Sequence, residues 1–154
     1  MSCMLSTYHD VYNIIAQMGL EVHSRLGRRT LLGSSGTHII SDVYLYDVGV
    51  LEQWSAEPAR MVNEVSAVIA KHGGDVIGHQ YHIFDATQKG SLSLLFMLRE
   101  CHVAIHTWPE QYYVSIDVLC GQHTDAVKLI QDIVSLLDAA DTEMMILKRG
   151  PGEI

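Results

Sequence analysis

The residues Glu100 to Glu110, ECHVAIHTWPE, put a thiol, two imidazoles, an indole and two carboxylates into one short segment. His102 and His106 stand four apart, which sets both on one face of a strand. A metal site there would recruit Cys101 or Glu100. Neighbouring strand residues point to opposite faces, so Cys101 and His102 diverge, and no further paired ligands occur at standard spacing. No metal is expected. For His102 the plain role fits, with one histidine exposed and the other hydrogen-bonded in the core. Cys101 and His106 also suit a nucleophile and its base, if a turn near Thr107–Pro109 brings the imidazole back. Cys101 is equally readable as a small buried hydrophobe. Trp108, before Pro109, is a stacking platform for a flat or cationic group, and Glu110 is placed to bind hydroxyls. The alternative is a core Trp with a polar rim. Phosphate-cradling patterns and the GxSxG elbow are absent.

These residues need elements to hold them. Val11, Ile14, Ile15, Met18 and Val22 recur at helical spacing and predict an amphipathic helix over roughly 8–25. GRRTLLGSSG, Gly27 to Gly36, reads as a linker. Residues 1–35 are therefore an N-terminal extension, and 36–154 the main domain. THIISDVYLYDV is β-branched and aromatic, as strands are. EPARMVNEVSAVIAKHGG carries the stripe Met61, Val62, Val65, Val68 and Ile69, with Pro58 near its start and Gly73-Gly74 past its end. DVIGHQYHIF, LSLLFMLRE, CHVAIHTW and YYVSIDVLC read as four more strands, and DATQKGS as a loop. LSLLFMLRE is apolar enough to predict burial on both faces. Ala126, Val127, Ile130, Ile133, Val134 and Leu137 form the stripe of a helix over Thr124–Ala139. EMMILKRG is a last strand. The order β-α-β-β-β-β-α-β predicts an α+β fold, a two-layer α/β sandwich with a mostly antiparallel sheet and both helices on one face. The open sheet face then needs a cover, either a second copy or a ligand.

The chain has 154 residues and a net charge of -8 with His neutral. Ten basic against eighteen acidic residues argue against a nucleic-acid surface. Arg25, Arg28 and Arg29 read as a solvated linker. No apolar run is long enough for a membrane span, and no secretory signal is visible, so a cytoplasmic location is expected. Cys3, Cys101 and Cys120 are an odd count without framework spacing or a CxxC pair, which fits a reducing compartment.

ECHVAIHTWPEQYYVSIDVLCG resembles the signature ESHL(S/T)IHTWPE…D…CG of prokaryotic-type S-adenosylmethionine decarboxylases. The resemblance runs from about Gly36 to Gly150. It includes the GTHIISD opening strand and the HxF strand end at His82–Phe84. It implies a proenzyme that cuts itself and leaves a pyruvoyl group, which forms a Schiff base with S-adenosylmethionine and accepts electrons as CO₂ leaves. The product donates an aminopropyl group for spermidine synthesis. The resemblance also implies a two-layer α/β sandwich and a homodimer of αβ units. The cut falls between Glu100 and Cys101, so the self-derived pyruvoyl comes from Cys101. His106 and Ser93 match residues that assist processing. Cys120 is the candidate proton donor to the product carbon. Phe84 and Trp108 match the aromatic pair around adenine, Glu110 the carboxylate near the ribose, and Asp42 an acidic residue of the first strand.

Three features depart from the pattern. Cys101 stands where the family has Ser, and a thiol supports the same acyl shift through a thioester. One residue is missing before Cys120, and a one-residue slip in a strand moves a side chain to the other face. The loop Asp85–Gly90 is longer. Two other readings remain: an unprocessed nucleoside-binding or regulatory paralogue, and a pyruvoyl decarboxylase of arginine or ornithine.

Overall fold

The computed structural model describes residues 36–84 and 89–150. The expected helix over 8–25, its linker, and part of the 85–90 loop lie outside the described residues. The elements are β1 (Gly36–Leu45), α1 (Gly49–Ala56), α2 (Pro58–Lys71), β2 (Val76–Ile83), β3 (Leu92–Leu98), β4 (His102–Trp108), a 3-10 turn (Pro109–Gln111), β5 (Tyr113–Gly121), α3 (Ala126–Leu136) and β6 (Ala139–Arg149). The strands form one sheet in the order β2-β3-β4-β5-β1-β6, and each neighbouring pair is antiparallel. The fold is α+β.

Period-two alternation builds the sheet. In β1, Ile39, Ser41, Val43 and Leu45 are buried, while His38, Ile40, Asp42 and Tyr44 face the other way. Register carries that division across the strands. Ile39 pairs with Val118, Val118 with Val103, and Val103 with Phe96, all fully buried. Met61, Val65 and Ile69 of α2 and Leu129, Ile130 and Ile133 of α3 join the same core. Each such side chain contributes about 1.5–3 kcal/mol of burial. Pro58 starts α2, and Gly73 leaves it at φ +86, where a Cβ would be strained. Asp125 caps α3 by accepting from the Lys128 N–H at 3.2 Å.

The structure corrects three expectations. A third helix, α1, follows β1. It carries no periodic stripe; Leu51 and Trp54 alone are buried. Trp54 Nε1 donates to Glu64 Oε2 at 2.9 Å, which fastens α1 to α2. Second, β3 is not buried on both faces: Leu95 and Met97 are 49% and 55% exposed. Its odd positions belong to the open side of the sheet, where its apolar residues are left exposed among the described residues. Third, α3 is shorter than expected, because Asp138 turns the chain at φ +51 and β6 begins at Ala139.

Candidate active site

The open face of the sheet reads as rows of cross-strand neighbours. Trp108, Tyr113 and Tyr44 make one row, with ring centroids 5.2 and 5.8 Å apart. The next row is Ser93, His106, Ser115, Asp42 and Glu143. Ser93 Oγ and His106 Nδ1 are hydrogen-bonded at 2.8 Å, and both are solvent-facing. The Tyr113 hydroxyl donates to the Asp42 carboxylate. Burial first, and then that carboxylate, push the Tyr113 phenol up to about 12.

A cavity of about 360 Å³ opens beside this pair, with Phe84, Ser91, Trp108 and Glu110 on its walls. The Phe84 N–H donates to the Ser91 carbonyl at 2.9 Å, which keeps β2 in step with β3 past its last ladder residue. Extending the β3–β4 register sets Ser91 opposite Trp108. Phe84 and Trp108 therefore stand two strand spacings apart, about 9–10 Å. Both side chains line the cavity, Phe84 edge-on to His82 and Trp108 against Tyr113. Thr107 fixes the floor: its hydroxyl donates to the Gly90 carbonyl at 2.6 Å and accepts from the Leu92 N–H at 2.8 Å. The Gly90 N–H in turn donates to Ser55 of α1 at 3.1 Å. Gly90 sits at φ +89, and a Cβ there would lie 2.8 Å from Leu51. The helix that lacks a sequence stripe thus holds the approach to the cavity.

The other end of β4 is a different environment. Glu100–Cys101 lies in the tight turn joining β3 to β4. Leu98 N–H donates to the Cys101 carbonyl at 2.8 Å, and Cys101 N–H to the Leu98 carbonyl at 3.4 Å. Glu100 is exposed, while the Cys101 side chain is half-buried and packs on the core. Cys120 is fully buried. The alternation in β5 runs unbroken to Cys120, and its register with β1 and β4 shows no bulge. Cys120 therefore faces the core, on the same side as Cys101.

Of the expected residues, Ser93, His106, Phe84, Trp108 and Glu110 come together, and Cys101 meets Cys120. The two groups do not meet within the chain. Five residues of extended strand, about 16 Å, separate Cys101 from His106. A turn that returns His106 to Cys101 does not form, because β4 continues straight through Trp108. Asp42 sits two strands from His106, across Ser115.

Sequence reasoning missed a polar trio on the open face. Asp117 Oδ1 accepts from His38 Nε2 at 2.9 Å and from His102 Nε2 at 3.1 Å. Arg149 Nη1 lies 3.0 Å from His38 Nδ1. An arginine can only donate, so that nitrogen accepts and the His38 proton sits on Nε2, toward Asp117. The three side chains thus form one hydrogen-bonded cluster, and their ligand atoms lie within 4.8 Å of one another, a spacing that a metal ion could also use. His102 is half-exposed and hydrogen-bonded on the open face, rather than held in the core. The available signal was a polar residue within each of three largely apolar strands; only register unites them.

Fold and site together define a small antiparallel α+β protein with an aromatic-walled polar cleft and a thiol-bearing hairpin. The profile of the S-adenosylmethionine decarboxylase family matches residues 37–150. The chain belongs to that family. It is 32% identical over 116 residues to an S-adenosylmethionine decarboxylase proenzyme of Methanococcus maripaludis, covering 75% of this chain and 89% of the relative. An arginine decarboxylase proenzyme of Pyrobaculum arsenaticum is 31% identical over 134 residues, covering 80% of this chain and 89% of the relative. The solved adenosylmethionine decarboxylase of Aquifex aeolicus shares the fold, with a TM-score of 0.65 at 22% identity, over 78% of this chain and 94% of that one.

Proposed function

We propose that the chain is a self-processing, pyruvoyl-dependent S-adenosylmethionine decarboxylase that supplies the aminopropyl donor for spermidine synthesis. The observation that carries the reading is the slot between Phe84 and Trp108 beside the Ser93–His106 pair. Its width suits adenine, and its aromatic faces attract a sulfonium by about 0.5–2 kcal/mol. Glu110 on the rim accepts from ribose hydroxyls.

Processing begins at the Glu100–Cys101 turn. The Cys101 sulfur attacks the Glu100 carbonyl carbon, and the peptide C–N bond gives way to a thioester. Loss of the Cys101 Cα proton then breaks the Cβ–S bond, releasing residues 1–100 with a terminal thiocarboxylate. Water replaces the nitrogen of the dehydroalanine left at 101, ammonia departs, and a pyruvoyl group remains. That group acts as the electron sink when the substrate loses CO₂. Cys120, opposite Cys101, holds the proton that returns to the product carbon. Burial, with the Cys101 sulfur next, pushes the Cys120 thiol up, so it stays protonated at neutral pH.

The separation of about 16 Å between cut site and helper pair supports a homodimer whose open sheet faces meet. In it, the His106 and Ser93 of one copy attend the exposed Glu100 side of the scissile turn of the other, while the Cys101 sulfur attacks from the core side. The apolar Ile40, Leu95, Met97 and Met145, all more than 40% exposed, suit such an interface. We read each copy as a two-layer sandwich, helices outward, and its location as cytoplasmic. No described helix is long and apolar enough to cross a membrane.

Arginine decarboxylation is the second reading, favoured by the relative from Pyrobaculum arsenaticum. CO₂ release from S-adenosylmethionine, with none from arginine or ornithine, tests the choice. Release from arginine alone contradicts it. A paralogue that binds a nucleoside without processing would keep one intact chain and release no CO₂.

A further inference from the structure

We infer that Cys101 and Cys120 form a reversible intrachain disulfide in the uncleaved chain, and that this bond withholds the Cys101 sulfur from processing. The inference rests on the reading of Cys101 as the processing residue. The β4–β5 register pairs His102 with Leu119 and Val103 with Val118. One step further, Cys101 stands directly opposite Cys120. Both backbone bonds of Cys101 run to Leu98, on the β3 side. The N–H and C=O of a strand residue leave on the same side, so neither points at β5. The Cys101–Cys120 pair is therefore a non-hydrogen-bonded one, with Cα atoms about 4.5 Å apart and side chains close. That separation lies inside the ~4.4–6.8 Å range of disulfides. Both side chains lie on the core face, Cys120 fully buried and Cys101 half-buried against the same core. A serine at 101, as in the family signature, can make no such bond.

The oxidant is a small-molecule disulfide. The half-buried Cys101 is the sulfur it meets first, since Cys120 is fully buried. Cys101 sulfur attacks one oxidant sulfur and releases a thiol. Cys120 sulfur then attacks Cys101 sulfur and releases the second thiol. The protein loses two hydrogens and two electrons, and the oxidant gains them. With its sulfur bonded to Cys120, Cys101 has no thiolate to attack the Glu100 carbonyl.

The test uses the full chain with Cys3→Ser, isolated uncleaved under reductant; His106→Ala in the same background supplies uncleaved chain if processing runs to completion. Oxidised glutathione is added, and intact mass and non-reduced peptides are read. The expected result is loss of two hydrogens and one peptide linking residues 101 and 120, absent with Cys120→Ser. In the His106-containing chain, cleavage should stop on oxidation and resume with dithiothreitol. A glutathione adduct without the 101–120 link overturns the inference, and so does cleavage of the linked chain at the reduced rate. A reduced chain that never cleaves refutes the self-processing reading instead, and the linked peptide still reports on the disulfide.

Discussion

At its His106–Trp108 end, β4 presents a wet cavity with a Ser–His pair, aromatic walls and a carboxylate. At its Cys101 end, the same strand turns a thiol toward a dry core and a second, buried thiol. The first end suits recognition and proton movement; the second suits a sulfur kept from solvent until it reacts. The contrast follows from one property of strands. Cys101 and His106 are an odd number of residues apart, so their side chains leave on opposite faces of the sheet. Within one chain the two ends stay on opposite faces; in the proposed dimer only the exposed Glu100 side of the turn is open to a partner's helper pair.

The largest effect expected is from Cys101→Ala, which removes the sulfur and should abolish both cleavage and CO₂ release. Cys101→Ser should keep cleavage, with a carboxylate in place of the thiocarboxylate on the 1–100 fragment. Mass spectrometry of the fragments reads both. Next, His106→Ala should slow cleavage by about 10²-fold or more. Co-expression with Cys101→Ala should restore cleavage of the His106→Ala chain, because each mixed dimer keeps one complete site. No restoration would break the division between the two ends. Trp108→Ala should raise KM about tenfold through loss of roughly 1–3 kcal/mol of stacking, with Tm little changed since the ring is 37% exposed. The smallest effect lies away from both ends. Asp125→Ala should cost about 1 kcal/mol of stability with activity unchanged. Burial opposes the charge on Asp125, but the Lys128 N–H and ammonium outweigh it and hold the carboxyl below its ordinary value. The cap's charge-dependent contribution is thus full above pH 4 and fades as pH falls through the lowered value, where wild type and variant melting curves should converge.

The strands were legible because alternation survives in β1 and β5, where one face is buried. α2 and α3 were legible through their stripes. α1 was not, since Leu51 and Trp54 are too few to set a period. The open face of β3 was misread because Leu95 and Met97 are as apolar as core residues, so nothing in the segment distinguishes its exposed face from its buried one. The IHTWPE run marked the end of β4 that lines the cavity, the candidate binding end. That the Ser93–His106 pair lies a strand's length from the proposed cut, and that Asp117 gathers His38 and His102, depends on register, which no single segment contains. The one-residue shortening before Cys120 was visible; its effect was not, because the face of Cys120 matters only relative to Cys101.

Denaturing mass spectrometry of the purified chain tests the central claim most directly. The account predicts two chains, 1–100 and 101–154, the second blocked at its N-terminus by a keto group. A single intact chain of 17.2 kDa after prolonged incubation under reductant would contradict it.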